Sequence, residues 1–518
     1  MSELHRLIEA HADSCPDRLA LTGAGGDVTY AELRASSWRV ANALLAAGFP
    51  KGTRFAIFTP NCSPAVVAQI GALRAGHVWC NVNLRNTVTD NTDILTRGGC
   101  EVLFFHSSVA AEAATLQTEV PSLRLSICLD TPTNGCQSLT DWSGLANGDE
   151  PNVLIHDDAD IGFQGNTGGT TGLPKLTQST FAILSRGAAA FVKLLAVQGE
   201  ARNLAVAPIT HAGGIVLMGS LAAGATNVMM ATPTPGGIAN SLEQNRITTV
   251  FLPPTLVYVL LTLPGIADRD FSSLRYLMVA GAPMAPVKII EAVELFGPVL
   301  CQGFGQTESG FPLTFITPQE TAEAVSDQAL RSRLASCGRI TPLLDRLAII
   351  DNDGQELPAG ELGELVVQGA SVMTHYLNDP EATAEAQAGG WHHTGDIGYL
   401  DDDGFVYISD RKRDLIISGG FNVFPYDVEQ ALLAHPAVQE CAVVGLPHDK
   451  WGEQVTGVVE PVPGASIDTE ELIAHARNIV GPMKAPKEVF VMDVLPRSAV
   501  GKVLKREIRT ALAQKRTK

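Results

Sequence analysis

From Thr53 onward the chain alternates short apolar runs with segments of helical spacing. RFAIFTPN is an apolar run closed by a turn, SPAVVAQIGALRAG repeats its apolar positions at helical intervals, and HVWCNVN extends again. CEVLFFH, LRLSICLD, NLAVAPIT, TNVMMATP, TTVFLPPT and LRYLMVAGA continue the pattern, separated by helix-length stretches or by glycine and proline. Uninterrupted apolar runs suit strands covered on both faces. The expected fold class is therefore α/β, with parallel-rich sheets through about residue 340.

The pattern then changes. LDRLAIIDNDGQELPAGELGELVVQG holds short strands punctuated by turn signals at Asp353-Gly354 and from Pro358 to Gly360, which predicts a small antiparallel β subdomain. YLDDDGFVYI predicts a further hairpin. DRKRDLIISGGFNVFPYDVE then supplies a charged, glycine-containing connector and a helix with Asp427 and Glu429 early in it. With 518 residues, more than one hydrophobic core usually serves, at least two domains are expected. The main boundary is placed at 411–414, between an N-terminal domain of residues 1–410 and a small α+β C-terminal domain of residues 411–518.

Composition narrows the function. Apolar residues make up 45% of the chain, yet no run approaches the ~20 residues of a membrane span. The opening MSELHRLIEAHADSCPDRLA mixes acids and bases where a secretory signal has a basic end and an apolar stretch, and so reads as mature cytoplasmic protein. Nine scattered cysteines, without CxxC pairs or nearby histidines, argue against a disulfide frame or zinc site and fit a reducing compartment. A net charge of -18 argues against nucleic acid as the main partner. The last stretch, GKVLKREIRTALAQKRTK, departs from that balance with seven basic residues and one acid. It is either a solvated, dipole-favoured helix end or a segment near an anionic ligand.

The most informative segment is NTGGTTGLPKL, residues 166 to 176. Gly168, Gly169 and Gly172 permit close backbone approach, so that N–H groups and the hydroxyls of Thr167, Thr170 and Thr171 can surround phosphate oxygens, with Lys175 as a cation. Pro174 forbids the helical turn that places the lysine of a Walker loop, so this is a different phosphate loop. A Gly/Thr-rich turn by itself is more often a plain surface loop. The whole string, however, resembles the TSGTTGxPKG loop of the adenylate-forming superfamily, which comprises acyl-CoA synthetases, peptide-synthetase adenylation domains and beetle luciferases. Asn166, Gly168 and Leu176 stand where that pattern has an aromatic residue, a serine and a glycine.

Further blocks follow in the family's order, so the resemblance extends from the N-terminal region to Lys502. QGFGQTESG, residues 302 to 310, is similar to the YGxTE block, which implies that Gly303 and Phe304 meet adenine, that Thr307 touches phosphate and that Glu308 holds Mg²⁺. In HHTGDIGYL, Asp396 matches the ribose-binding aspartate. In SDRKRDLI, Arg411 matches an arginine that reaches ribose or phosphate, and Arg413 falls at the hinge. PRSAVGKVLKREIR puts Lys502 at the adenylation lysine, whose ammonium, together with Mg²⁺, offsets the charge that builds as a carboxylate attacks the α-phosphorus.

The resemblance also frames substrate and acceptor. APITHAGGIVLMG places His211 at the acyl gate, beside Gly213 and Gly214, a pair that leaves space in the wall; Gly281 and Ala282 in VAGAPMAP and the run FLPPTLVYVL complete it. The same glycines could instead permit close packing. No acid occurs between Pro208 and Leu242 to receive an α-amino group, so a medium-to-large apolar carboxylic acid is expected. Gly419, Gly420 and Trp451 match regions that meet coenzyme A, as do the lysines of GPMKAPK. The implied activity is an ATP-, Mg²⁺- and CoA-dependent acid:thiol ligase working by domain alternation. The alternatives are a ligase that loads a carrier protein's phosphopantetheine, a luciferase-like oxidase of the adenylate, or a non-catalytic nucleotide-binding relative.

Overall fold

The computed structural model describes residues 1–167, 174–195, 200–411, 414–497 and 503–516. Among the described residues the strands assemble into four sheets. In the first, of nine strands, Leu19–Gly23, Thr226–Met229, Arg202–Ala205, Thr249–Leu252, Tyr276–Val279 and Leu300–Gln306 run parallel side by side. The second, of seven strands, has a parallel body of Ile161–Gln164, Val78–Cys80, Arg54–Phe58, Val102–Phe105 and Leu125–Cys128. Every apolar run singled out in the sequence lies in one of these two bodies, and buried helices such as Ser63–Arg74 and Ala212–Ala222 cover them. The antiparallel strands sit towards the edges: Val28–Thr29 at one side of the first sheet, Gly310–Ile316 and Arg339–Ile340 at its other, and Thr177–Thr180 and His375–Tyr376 in the second.

The third sheet is the predicted antiparallel subdomain, with Arg346–Ile350, Gly363–Gln368, His392–Leu400 and Val406–Arg411 in that order. The turn in its last hairpin is closed by Asp401, whose carboxylate accepts from the N–H groups of Asp403 and Phe405. The fourth sheet starts just past the 411–414 connector, at Ile416–Ser418, and its longest pairing joins Val438–His448 to Gly452–Pro461. Ala285, from the loop before helix Pro286–Phe296, packs into the hydrophobic cluster of this last unit. No helix among the described residues is long and apolar enough to cross a membrane.

One glycine fixes how the first and third sheets meet. Gly338 lies between them at φ +92°, its carbonyl accepts from Val406, and Cys337 donates to the Val406 carbonyl. A Cβ on Gly338 would overlap the backbone of Phe315 and Ile316. Gly338→Ala therefore adds left-handed strain to a backbone clash and is expected to cost about 2–4 kcal/mol, read as a lowered melting temperature with reduced turnover of all substrates alike.

Candidate active site

The site residues lie where parallel strands end. Gly165 to Thr167 follow Ile161–Gln164, Asn81 follows Val78–Cys80, the 206–211 segment follows Arg202–Ala205, Gly281 and Ala282 follow Tyr276–Val279, and Thr307 follows Leu300–Gln306. In open α/β sheets the crevice beyond the carboxyl ends of the strands is where ligands bind.

Gly168, Gly169, Thr170, Thr171 and Gly172 lie outside the described residues, but the neck of their loop is defined. Asn166 pairs with Leu176 as an antiparallel bridge, and the Thr167 N–H donates to the Lys175 carbonyl at 3.0 Å. Arg97, paired with Asp93, donates to the Pro174 carbonyl at 2.9 Å and so ties down the loop's exit. The Lys175 ammonium is exposed and stands 5.0 Å from the centre of the Tyr376 ring. The Tyr376 hydroxyl in turn donates to Glu308 Oε1 at 3.1 Å. Two groups predicted to meet phosphate and metal are thus joined through one aromatic ring.

Thr307 and Glu308 occupy the turn between Leu300–Gln306 and Gly310–Ile316. Gly165 is buried against Thr307, and an added Cβ would overlap Thr307 Cγ2, so the phosphate-loop neck and the hairpin turn are in direct contact. Gly303 is equally closed, with Phe311 2.9 Å from the place of a Cβ. Phe304 is half-buried and packs partly on the clusters containing Leu343 and Ile349.

From the same hairpin the Gln306 amide donates to the Thr394 carbonyl at 2.8 Å and to Asp396 Oδ2 at 2.7 Å. Asp396 is only 2% exposed. Its Oδ1 faces Arg411 Nε at 3.0 Å, because the two residues are paired across the third sheet. A buried carboxylate with a neutral donor and a guanidinium is charge-compensated and fits the ribose-binding role. For Mg²⁺, no group of three or more His, Cys, Asp or Glu side chains is gathered among the described residues. A lone Glu308 fits an ion that takes one or two protein carboxylates and completes its shell with phosphates and water.

His211 is the N-cap of helix Ala212–Ala222, half-buried, with Asn81 Nδ2 3.5 Å from its Nδ1. The preceding 205–209 segment is held by Asn61, which donates to the Ala205 and Ala207 carbonyls and accepts from the Ile209 N–H. The expectation that Gly213 and Gly214 leave space is corrected here. Both are buried; a Cβ on Gly214 would overlap the Ile209 carbonyl and stand 2.8 Å from Trp79 Cη2, and one on Gly213 would meet the Ala207 and Pro208 carbonyls. The glycines let the helix start fold back on its own approach. Gly281, at φ +92°, and Ala282 are exposed.

In the C-terminal unit, Gly419 and Gly420 form the exposed tip between Ile416–Ser418 and Phe421–Val423, at φ +60° and +83°. The Gly419 N–H donates to the Trp451 carbonyl at 2.8 Å, and Trp451 stacks on His448 at 4.4 Å. A side-chain-free tip beside an aromatic ring fits the approach of a thin pantetheine arm. Lys484 pairs with Asp427, and Lys487 donates to the Pro482 carbonyl. Arg413 and Lys502 lie outside the described residues.

Four residues of this arrangement escape the sequence reading: Asn81, Gly165, Gln306 and Tyr376. Gln306 lies within a recognised block and Gly165 borders one, so adjacency was a usable signal for both. Asn81 and Tyr376 carry none.

The chain matches the model of the AMP-binding enzyme over residues 8–377 and that of the AMP-binding enzyme C-terminal domain over residues 427–502. It is 34% identical to a feruloyl-CoA synthase of Amycolatopsis sp over 95% of this chain and 96% of the relative. It is 31% identical to an indoleacetate–CoA ligase of Aromatoleum aromaticum over 99% of both. Among solved structures, the amide bond synthetase McbA from Marinactinospora thermotolerans superposes with a TM-score of 0.87 at 31% identity, covering 98% of this chain and 99% of the other.

Two expectations follow from the geometry. Tyr376→Phe keeps the ring under Lys175 but removes a hydrogen bond to a carboxylate, worth about 1.5–3 kcal/mol; adenylate formation should fall roughly ten- to a hundredfold and require more Mg²⁺ for half-saturation, which a Mg²⁺ titration of ATP–pyrophosphate exchange measures. Gly214→Leu overpacks the helix start by about 1–3 kcal/mol or more. A lower melting temperature and uniformly reduced rates across acids are expected, rather than selective loss of bulky ones.

Proposed function

This chain belongs to the AMP-binding enzyme family and is an ATP-dependent, AMP-forming acid–thiol ligase, and we propose that its acid is a medium-to-large apolar carboxylic acid without an α-amino group. The observation that carries the substrate class is the segment from Pro208 to Leu242, which contains no acid to receive an ammonium and includes His211 at the N-cap of its helix. The two relatives named above are named for ferulate and indoleacetate, neither an amino acid.

In this reading Asp396 and Arg411 receive the ribose, and Lys175 and Thr167, with the glycines and threonines of their loop, receive the phosphates. Glu308 holds Mg²⁺, which supplies charge neutralisation on the phosphate oxygens. The carboxylate enters at the His211 end, opposite the ribose, so that its oxygen faces the α-phosphorus in line with the departing pyrophosphate. Lys502 is assigned the charge that develops there, by resemblance. The C-terminal unit, residues 411–518, is proposed to turn about Arg413, withdrawing Lys502 and bringing the Gly419-Gly420 tip to the acyl group for thiol attack. A cytoplasmic location belongs to the same proposal and is supported by nine free thiols. A second reading keeps adenylation and changes the acceptor to a carrier protein's phosphopantetheine. The amide bond synthetase likeness supports it to the extent that the fold does not dictate the acceptor.

ATP–pyrophosphate exchange over a panel of acids, followed by CoA, tests the reading. Apolar acids should exchange and amino acids should not; a preference for amino acids would overturn the substrate class. Lys502→Ala should lose about 10²-fold or more in exchange yet still convert supplied acyl-AMP and CoA to thioester, since charge develops beside it in the first step only.

A further inference from the structure

Asn166 stands where the resembling loops have an aromatic residue, and its contacts explain what an amide does there. Its N–H donates to Asn81 Oδ1 at 2.9 Å, and its Nδ2 donates to the Asn81 carbonyl at 2.9 Å. The Asn81 N–H in turn donates to the Gln164 carbonyl. Three hydrogen bonds thus lock two neighbouring parallel strands just past their carboxyl ends, at the neck of the phosphate loop. Asn81 is buried, and the free end of its amide faces His211 Nδ1 at 3.5 Å.

Donor and acceptor roles then fix the histidine. The Asn166 backbone N–H can only donate, so the Asn81 atom opposite it is the oxygen. The other end is therefore NH₂, which also can only donate, and Nδ1 of His211 must accept. A neutral imidazole that accepts at Nδ1 carries its proton on Nε2. We propose that Asn81 is a positioning residue that holds His211 in the Nε2–H tautomer, and that Asn166, by fixing the Asn81 amide, couples the phosphate-loop neck to that donor. The proposal rests on the reading that His211 meets the acid. A neutral donor orients the carboxylate without neutralising the negative charge it needs as a nucleophile.

The test is long-range ¹H–¹⁵N correlation on full-length protein labelled at its 12 histidines, with His211 identified by its loss in His211→Gln. Wild type should show Nε2 protonated and Nδ1 bare. Asn81→Asp keeps the size and the acceptor for Asn166 but turns the donor into an acceptor; His211 should move to an Nδ1-protonated form, and adenylate formation should fall tenfold or more while the melting temperature moves little. An Nδ1-protonated His211 in wild type overturns the proposal without any variant having to fold, as does an unchanged tautomer in Asn81→Asp. A tautomer that changes as expected while exchange rates are untouched leaves Asn81 in place and removes His211 from the acid's path, which separates this inference from the reading it rests on.

Discussion

The carboxylate of Asp396 is 2% exposed, and burying it is the constraint around which the site is built. An uncompensated charge at such depth costs several kcal/mol, so its partners must be delivered accurately. Arg411 comes from the adjacent strand of the third sheet, and Gln306 comes from the hairpin that closes the first. The register of one sheet and the docking of two are therefore tied to one charge. Glu308 and Thr307 follow Gln306 in the chain, so the geometry that satisfies Asp396 also aims the residues assigned to metal and phosphate. Arg411 precedes the connector to the C-terminal unit, which places the ribose end of the site beside the proposed hinge.

Much of this was legible from pattern. Buried parallel strands need apolar residues on both faces, and such runs stand out, which is why the two sheet bodies emerge from the sequence alone. Edge strands such as His375–Tyr376 do not, because two residues joined by antiparallel pairing leave no periodicity to read. Tyr376 was missed for that reason: its value lies in reaching Glu308 and Lys175, which are 68 positions away in one case and lie in another strand's loop in the other. Asn81 was missed for a related one. A polar residue after an apolar strand reads as a turn, and only a structure shows that all four of its polar atoms have partners.

The glycines show where a sequence alone is ambiguous. Gly213 and Gly214 carry the same letters whether they open a pocket or admit a backbone, and here Ile209, Ala207 and Pro208 carbonyls fill the space. If the acid binds at these strand ends as proposed, room for it comes from elsewhere, and Gly281 and Ala282 are exposed there. Trp79 is buried and packs against the start of the 212–222 helix.

The basic C-terminal stretch is helical over Lys505–Arg516, and some of its charge is paired. Lys505 pairs with Glu429 at 2.8 Å, and Arg509 pairs with Asp414 at 3.1 Å, so part of its charge is used inside the unit. Burial works against the Lys505 charge, but Glu429 and then Asp410 more than offset it and raise its pKa. Asp410 lies on the other side of the 412–413 connector, and burial pushes its pKa up to about 6, with Lys505 pulling the other way. It also accepts from the Tyr426 N–H at 3.1 Å. The contacts that cross the connector here thus depend on a carboxylate whose ionised form burial disfavours. A rotation that returned Asp410 to water would lose the Tyr426 and Lys505 interactions but recover its hydration, and these terms are of opposite sign. Opposed terms of this kind would keep the free-energy difference between two orientations small, as the proposed alternation between half-reactions requires.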